Sequence, residues 1–173
     1  EINKFYSDGK LDKALLLARS AESEKPKLQA NVRFVLLYAK ILLETDGPSS
    51  KIRGLLSKSL LDHPNDPGLI EYLEVVSAKS NLSREREDAG EVELSNIIRR
   101  SPKNVHALFL LGSHLFWVDQ ETQRSLRYLE TCHRLRPNFL RATACLAAVY
   151  TKLGLKPQAS RLFRKCASIE TNK

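Results

Sequence analysis

The residues best suited to chemistry in this sequence are its three cysteines and four histidines. Zinc prefers thiolate sulfur and imidazole nitrogen, so the pairs to consider are Cys132 beside His133, and His106 with His114. Adjacent helical residues point to different faces, and the sequence holds neither a CxxC nor an HxxxH spacing. We therefore predict no metal site and interpret the cysteines as buried, reduced thiols, which favours a cytoplasmic or nuclear location.

Other catalytic groupings cannot be assembled from the sequence. It offers no glycine-rich phosphate loop, no carboxylate pair beside a histidine and no Ser-His-Asp set. We therefore predict that the chain is not an enzyme and has no catalytic residues, no cofactor and no small-molecule substrate.

The stretch 140–168 predicts two helices folded back on each other. Gly154 suits a helix end, because glycine readily takes the left-handed conformation needed there. Pro157 suits the first turn of the helix that follows. The inward residues of the first helix recur at i, i+3, i+4 and i+7: Thr143, Leu146, Ala147 and Tyr150. Those of the second are Ala159, Phe163 and Cys166.

This pattern resembles the tetratricopeptide repeat (TPR), whose W-x2-L-G-x2-Y, A-x3-F and P positions span about 34 residues. The sequence departs from the pattern at Thr143, Ala147 and Thr171, where the repeat has an aromatic residue, glycine and proline. The resemblance implies an all-α fold, a right-handed superhelical solenoid of antiparallel helix pairs with about nine helices. Ala147, Ala159, Leu111, Gly112 and Phe163 are then expected to be nearly inaccessible.

Prolines divide the chain into similar units, with Pro26, Pro64, Pro102 and Pro137 at the expected unit ends. We predict one domain, 1–173, with a half repeat at 1–26 and repeats at 27–64, 65–102, 103–137 and 138–171. Turns are expected near Gly9, Gly47, Asp119 and Gly154, with one extra residue in the Asp119 turn and a charged loop at 83–90. Since residue 1 would fall inside a helix, we interpret the sequence as an excerpt from a longer protein.

Charge is distributed unevenly along the chain. Of the formal charge of +8, residues 1–96 hold 14 basic and 16 acidic residues, whereas residues 97–173 hold 14 and 4. The excess of basic residues in 97–173 predicts a basic surface, which is either a solvated outer wall or a contact for an acidic peptide or nucleic-acid phosphate. Its main candidates are Arg124, Arg127, Arg134, Arg161, Arg164 and Lys165. No apolar run reaches the roughly 18–20 residues of a membrane span, so we predict no membrane partner.

The resemblance implies that the first helix of each pair lines a concave groove, where such repeats bind partners. The groove candidates are Arg33, Leu37, Lys40, Glu71, Tyr72, Val75, Lys79, Phe109, Ser113, Phe116, Trp117, Arg141, Cys145, Ala148 and Lys152. Phe116 and Trp117 are either packed against neighbouring helices or anchors for a bound segment.

We predict a protein-interaction scaffold or adaptor within a larger assembly, binding an acidic or amphipathic segment of another protein. The basic groove residues nearest the aromatic candidates, Arg141 and Lys152, favour such a ligand. The polar clamp of chaperone-tail receptors is not matched, because Tyr72, Leu110 and Cys145 stand at its positions. The alternative is RNA binding through the basic C-terminal half.

Overall fold

The computed structural model describes residues 1–25, 28, 30–83 and 86–171. These residues form α-helices joined by turns, and none of them lies in a β-strand. The helices are α1 (Ile2–Ser7), α2 (Leu11–Glu24), α3 (Val32–Glu44), α4 (Ser49–Asp62), α5 (Pro67–Leu82), α6 (Glu87–Arg100), α7 (Val105–Trp117), α8 (Thr122–Leu135), α9 (Leu140–Lys152) and α10 (Lys156–Thr171). The all-α fold class is thus confirmed, and the described residues hold ten helices rather than about nine, because the half repeat contributes a short helix of its own.

The helices form two compact units, unit 1 (Glu1–Glu93) and unit 2 (Leu94–Lys173). Within each unit, helices adjacent in the chain pack together, as α3 does with α4 and α7 with α8. The single domain 1–173 and its repeat boundaries remain a prediction, and Pro26 lies outside the described residues. None of the helices in the described part of the chain is both long and apolar enough to cross a membrane.

Four turns between paired helices share one geometry. Each contains a residue with positive φ, and the backbone N–H that follows it bonds back to the preceding helix. The residues with positive φ are Gly9, Asp46, Gln120 and Gly154. The backward bond spans five residues in three turns, as from Leu155 N–H to the Tyr150 carbonyl, but six from Glu121 to Leu115. The longer bond accommodates the extra residue predicted for the Asp119 turn.

The charged loop predicted at 83–90 is shorter than expected. Helix α6 already begins at Glu87, and Gly90 is buried inside it. Glu87 and Asp88 stabilise this first turn, because negative side chains complement the positive end of the helix dipole. A Cβ at Gly90 would lie 2.9 Å from Leu82, so the glycine permits close packing there. Residues 84–85 lie outside the described residues.

Small residues hold the paired helices of unit 2 close together. The Ser125 hydroxyl of α8 donates a hydrogen bond to the Gly112 carbonyl of α7 over 2.7 Å, and a Cβ at Gly112 would lie 2.9 Å from Leu129. All three cysteines are buried thiols outside any disulfide, and the Cys132 thiol donates to the Val105 carbonyl over 3.3 Å.

The predicted burial is right at four positions and wrong at the fifth. Leu111 and Ala147 are fully buried, Ala159 is 5% exposed, and Gly112 is buried. Phe163 was expected to be inaccessible but is 48% exposed. It lies on α10, on a side that none of the described helices covers.

Candidate partner-binding faces

The main candidate site lies in unit 2, between the neighbouring first helices α7 and α9. Asn104 begins α7 by accepting hydrogen bonds from the backbone N–H groups of His106 and Ala107, at 3.1 and 3.0 Å. Phe109 of α7 packs against Phe139, the residue preceding α9, with ring centroids 4.8 Å apart. Both phenylalanines belong to the buried core of unit 2, so this contact fixes the spacing of the two helices.

A cavity of about 360 Å³ opens between these helices. Its lining residues are Phe109, Ser113 and Trp117 from α7, and Arg141, Ala144 and Cys145 from α9. The repeat pattern had named all of these except Ala144 as groove candidates. Ala144 lay within the same helix pattern but offered no functional group to single it out. We call this cavity the α7–α9 groove.

The two neighbouring aromatic candidates divide between packing and exposure. Phe116 is only 6% exposed, whereas Trp117 is 65% exposed. The rings meet edge to face with centroids 4.6 Å apart, and the Lys152 ammonium lies 5.5 Å from the centroid of Phe116. Phe116 thus supports the wall as a core residue, and Trp117 presents its indole at the rim of the groove.

The charged wall of the groove is Arg141. Its guanidinium lies over the Phe109 ring, 5.2 Å from the centroid, as in a cation–π contact. This places a cation directly beside an apolar surface. A ligand that pairs an apolar side chain with a carboxylate would match both features.

Cys145 forms a neutral part of the groove wall. Burial raises the pKa of its thiol to about 11, although the Trp117 indole N–H and the charge of Arg141 act in the opposite direction. Since the thiolate is the nucleophile, Cys145 remains an unreactive thiol near neutral pH.

In unit 1 the corresponding candidates are engaged by neighbouring residues. Tyr72 is 8% exposed, and the Lys40 ammonium lies 5.2 Å from its ring centroid. Lys79 pairs with the Asp46 carboxylate over 2.8 Å and with the Gly47 carbonyl over 3.4 Å. Val75 is fully buried; it cannot itself contact a partner in this conformation, because its side chain faces the core.

The basic surface of unit 2 lies on α8 and α10. On α8, Arg124 pairs with Glu121, and Arg127 and Arg134 are exposed. On α10, Arg161 and Arg164 are exposed and help to line an open depression of about 720 Å³ with Pro157 and Gln158.

His133 on α8 is a half-buried histidine that experiences the charges of α10. Burial, and after it the charges of Lys165 and Arg161, lower the pKa of His133 on α8. The His133 Nδ1 lies 3.0 Å from the Thr143 hydroxyl of α9. The charges of Arg161 and Lys165 on α10 therefore act on His133 of α8 and disfavour its protonated form.

The fold defines the structural class: an all-α chain of TPR-like antiparallel helix pairs. Solved structures of MamA share this fold. One is 19% identical, covers 99% of this chain and 95% of its own, and has a TM-score of 0.51. A double mutant of MamA RS-1 is 16% identical, covers 99% and 91%, and has a TM-score of 0.50. At such identities the likeness shows the fold alone. No protein-family model and no curated protein matches the sequence.

Proposed function

We propose that this chain is a non-enzymatic interaction scaffold of the TPR type that holds a segment of another protein in the α7–α9 groove. The observation that carries the proposal is the 65% exposed Trp117 at the rim of a cavity walled by Phe109 and Arg141. A large aromatic side chain left in water beside a cavity gains most from being covered by a partner. The proposal places the protein in the cytoplasm or nucleus, as an adaptor within a larger assembly.

The groove favours a short segment over a folded surface. Its volume of about 360 Å³ is at the small end of the range of roughly 300–1,000 Å³ that is typical of binding pockets. One large apolar side chain can enter between Phe109 and Trp117. An adjacent Asp or Glu can then approach Arg141, whose guanidinium lies over Phe109 at the wall of the groove.

Synthetic peptides provide the test, each with a central Phe or Leu flanked on both sides by Asp, by Ala or by Lys. The chain has a single tryptophan, so a shift of its emission reports occupation of the groove directly. We expect the Asp-flanked peptides to bind most tightly and to shift the emission to shorter wavelength. A set that binds with no emission shift, or with no preference for Asp, would contradict the proposal.

Substitutions locate the binding face. Trp117→Ala should weaken binding of the Asp-flanked peptide about 30-fold, or about 2 kcal/mol, as for a central anchor. Arg141→Glu should remove the preference for Asp over Lys. The matched control is Leu61→Ala, because Leu61 is 82% exposed but lies on α4 of unit 1; its peptide affinity should equal that of the parent.

RNA binding by the basic surface is the alternative, supported by the exposed arginines Arg127, Arg134 and Arg161 on α8 and α10. It predicts that single-stranded RNA binds with a steep salt dependence. Reversal of Arg127, Arg134 and Arg161 should then abolish RNA binding, whereas Trp117→Ala should not affect it. Peptide binding through the groove predicts the opposite response to the two sets of substitutions.

A further inference from the structure

The α7–α9 groove has a cation near each of its two ends. Near the start of α9, the guanidinium of Arg141 lies 5.2 Å from the ring centroid of Phe109. At the end of α9, the ammonium of Lys152 lies 5.5 Å from the ring centroid of Phe116. Because the start of α9 meets the first half of α7, and its end meets the end of α7, the two helices run in the same direction. The groove between them therefore carries one cation–π pair at each end.

The two helices that form the groove supply no negative charge of their own. Neither α7 nor α9 contains an aspartate or a glutamate. The acidic residues that follow α7 have other neighbours, since Asp119 lies 3.8 Å from His114 and Glu121 pairs with Arg124. Lys152 is exposed and, within the described part of the chain, forms no salt bridge. An acidic ligand thus meets charge complementarity at the far end of the groove as well as beside the cavity.

Between its two cations, α9 presents small side chains to the groove. From Arg141 the face continues through Ala144 and Ala148 to Lys152, at intervals of three, four and four residues. Ala144 lines the cavity together with Trp117 of α7. The short side chains leave the space that one large apolar side chain of a ligand occupies.

The helix geometry limits how far apart the two acidic groups of a ligand lie. Phe109 and Phe116 are seven residues apart on α7, and Arg141 and Lys152 are eleven residues apart on α9. At the rise of an α-helix these separations correspond to about 10 Å and about 16 Å. Two carboxylates that approach both cations are therefore separated by about 10–16 Å.

An extended segment matches this separation. Four residues of a β-strand span about 13 Å, and residues i, i+2 and i+4 point to the same side. The outer two side chains then face the cations, and the middle one faces the cavity. A bound helix is about 10–12 Å wide, whereas the cavity of about 360 Å³ has room for a single large side chain.

We propose that Lys152 forms a second acidic subsite of the α7–α9 groove, which binds an extended segment of the order acidic–x–apolar–x–acidic. One carboxylate of the segment approaches Arg141, the other approaches Lys152, and the apolar side chain enters beside Trp117. This proposal rests on the proposed function and adds the spacing and the conformation of the bound segment.

Peptides of equal length and composition test the spacing. Each has capped ends, a central Phe, two Asp and otherwise Ala and Ser, and only the positions of the Asp residues differ. They stand two residues from Phe on either side, or one residue from it, or seven residues apart as one face of a helix requires. At low ionic strength the first peptide should bind at least roughly 3-fold more tightly than the others and shift the Trp117 emission. Equal or tighter binding of either other peptide would overturn the extended spacing.

Pairing each Asp with one cation tests the subsite itself. Replacement of either Asp by Asn should weaken binding to the parent chain roughly 2- to 5-fold. In Lys152→Gln one of these two replacements should lose its effect, and in Arg141→Gln the other one should. Lys156→Gln is the matched control, because Lys156 is exposed on α10 and its substitution removes the same charge; both replacements should keep their effects there. Thermal melting checks that the variants fold.

The outcomes separate this proposal from the one on which it rests. If both Asp replacements keep their effects in Lys152→Gln, or if Lys152→Gln and Lys156→Gln weaken binding equally, the second subsite is wrong and the groove still binds its ligand. If none of the peptides shifts the Trp117 emission, the groove itself is wrong, and the subsite is wrong with it.

Discussion

The first helices of the two units present their groove candidates in different states. In unit 1, the Lys40 ammonium lies over Tyr72, and Lys79 is paired with Asp46. In unit 2, Trp117 stays 65% exposed beside a cavity that contains Arg141. A repeat therefore specifies where a side chain lies, whereas its neighbours decide whether that side chain is available to a partner.

The difference arises from particular neighbouring residues. Asp46 sits in the α3–α4 turn with positive φ, which brings its carboxylate to the ammonium of Lys79 at 2.8 Å. In unit 2 the residue at the rim of the groove is Trp117, whose neutral indole cannot form an ion pair. Surface ion pairs such as Lys79–Asp46 contribute little free energy, whereas exposed aromatic side chains are typical of binding hot spots.

The largest expected effect comes from a substitution that disrupts the packing of α10 on α9, one of the two helices that form the α7–α9 groove. Ala159 is 5% exposed at the contact between α10 and α9, so Ala159→Arg would place a charge between two closely packed helices. We expect a loss of about 3 kcal/mol or more of unfolding free energy, measured by urea denaturation. Ser160→Arg, one residue further at an exposed position, is the control and should change stability by about 0.5 kcal/mol or less. Equal unfolding free energies of Ala159→Arg and the parent would show that the repeat frame is wrong.

A smaller effect tests the buried thiol in the groove wall. Burial raises the pKa of Cys145 from 9.0 to about 11, so the folded state holds this proton more tightly than the unfolded chain. Its contribution to stability is complete below pH 9 and is lost as the pH rises toward 11. The loss should be about 2 kcal/mol.

Comparison with Cys145→Ala isolates this contribution. The Tyr150 hydroxyl, whose pKa burial and Glu130 raise to about 12, titrates in both proteins and cancels in the difference. The unfolding free energy of the parent should fall more steeply than that of Cys145→Ala between pH 9 and 11. If the unfolding free energies of the two proteins fell in parallel with pH, the Cys145 thiol would not be shielded from water in the folded state.

The smallest expected effect concerns the turns that hold each first helix to its partner. Gln120 has a φ of 57°, which costs a side-chain-bearing residue about 1 kcal/mol relative to glycine. Gln120→Gly should therefore stabilise the chain by about 0.5–1 kcal/mol. Gly154→Ala should destabilise it by a similar amount, and purely through the backbone, since an added Cβ would meet nothing within 4 Å. If urea denaturation showed that Gln120→Gly and Gly154→Ala change the unfolding free energy in the same direction, this interpretation would be contradicted.

The fold could be predicted because it rests on local signals. Glycines at Gly9 and Gly154, apolar residues at helical spacing and small residues such as Gly112 specify helix pairs without reference to distant contacts. The start of α6 was missed, since the charged stretch 83–90 resembles a loop until Gly90 is seen to pack under Leu82.

The candidate site could be predicted only in part, since availability depends on partners distant in sequence. The burial of Val75 and the pairing of Lys79 with Asp46, 33 residues away, leave no trace in the helical pattern. The exposure of Phe163 was missed for a related reason: the repeat pattern predicts the inward face of a helix, but not whether another described helix covers it. The residues of the α7–α9 groove follow from the repeat frame, but the cavity between them does not.

Hydrogen–deuterium exchange of the full chain, with and without the tightest Asp-flanked peptide, tests the contrast between the two units most directly. Backbone amides that pack under a bound segment open less often and exchange more slowly. We expect peptide binding to protect α7 and α9 around Trp117 and Arg141, and to leave α3 and α5 unchanged. Protection of α3 and α5, or of α8 and α10 alone, would contradict the assignment of the binding face to the α7–α9 groove.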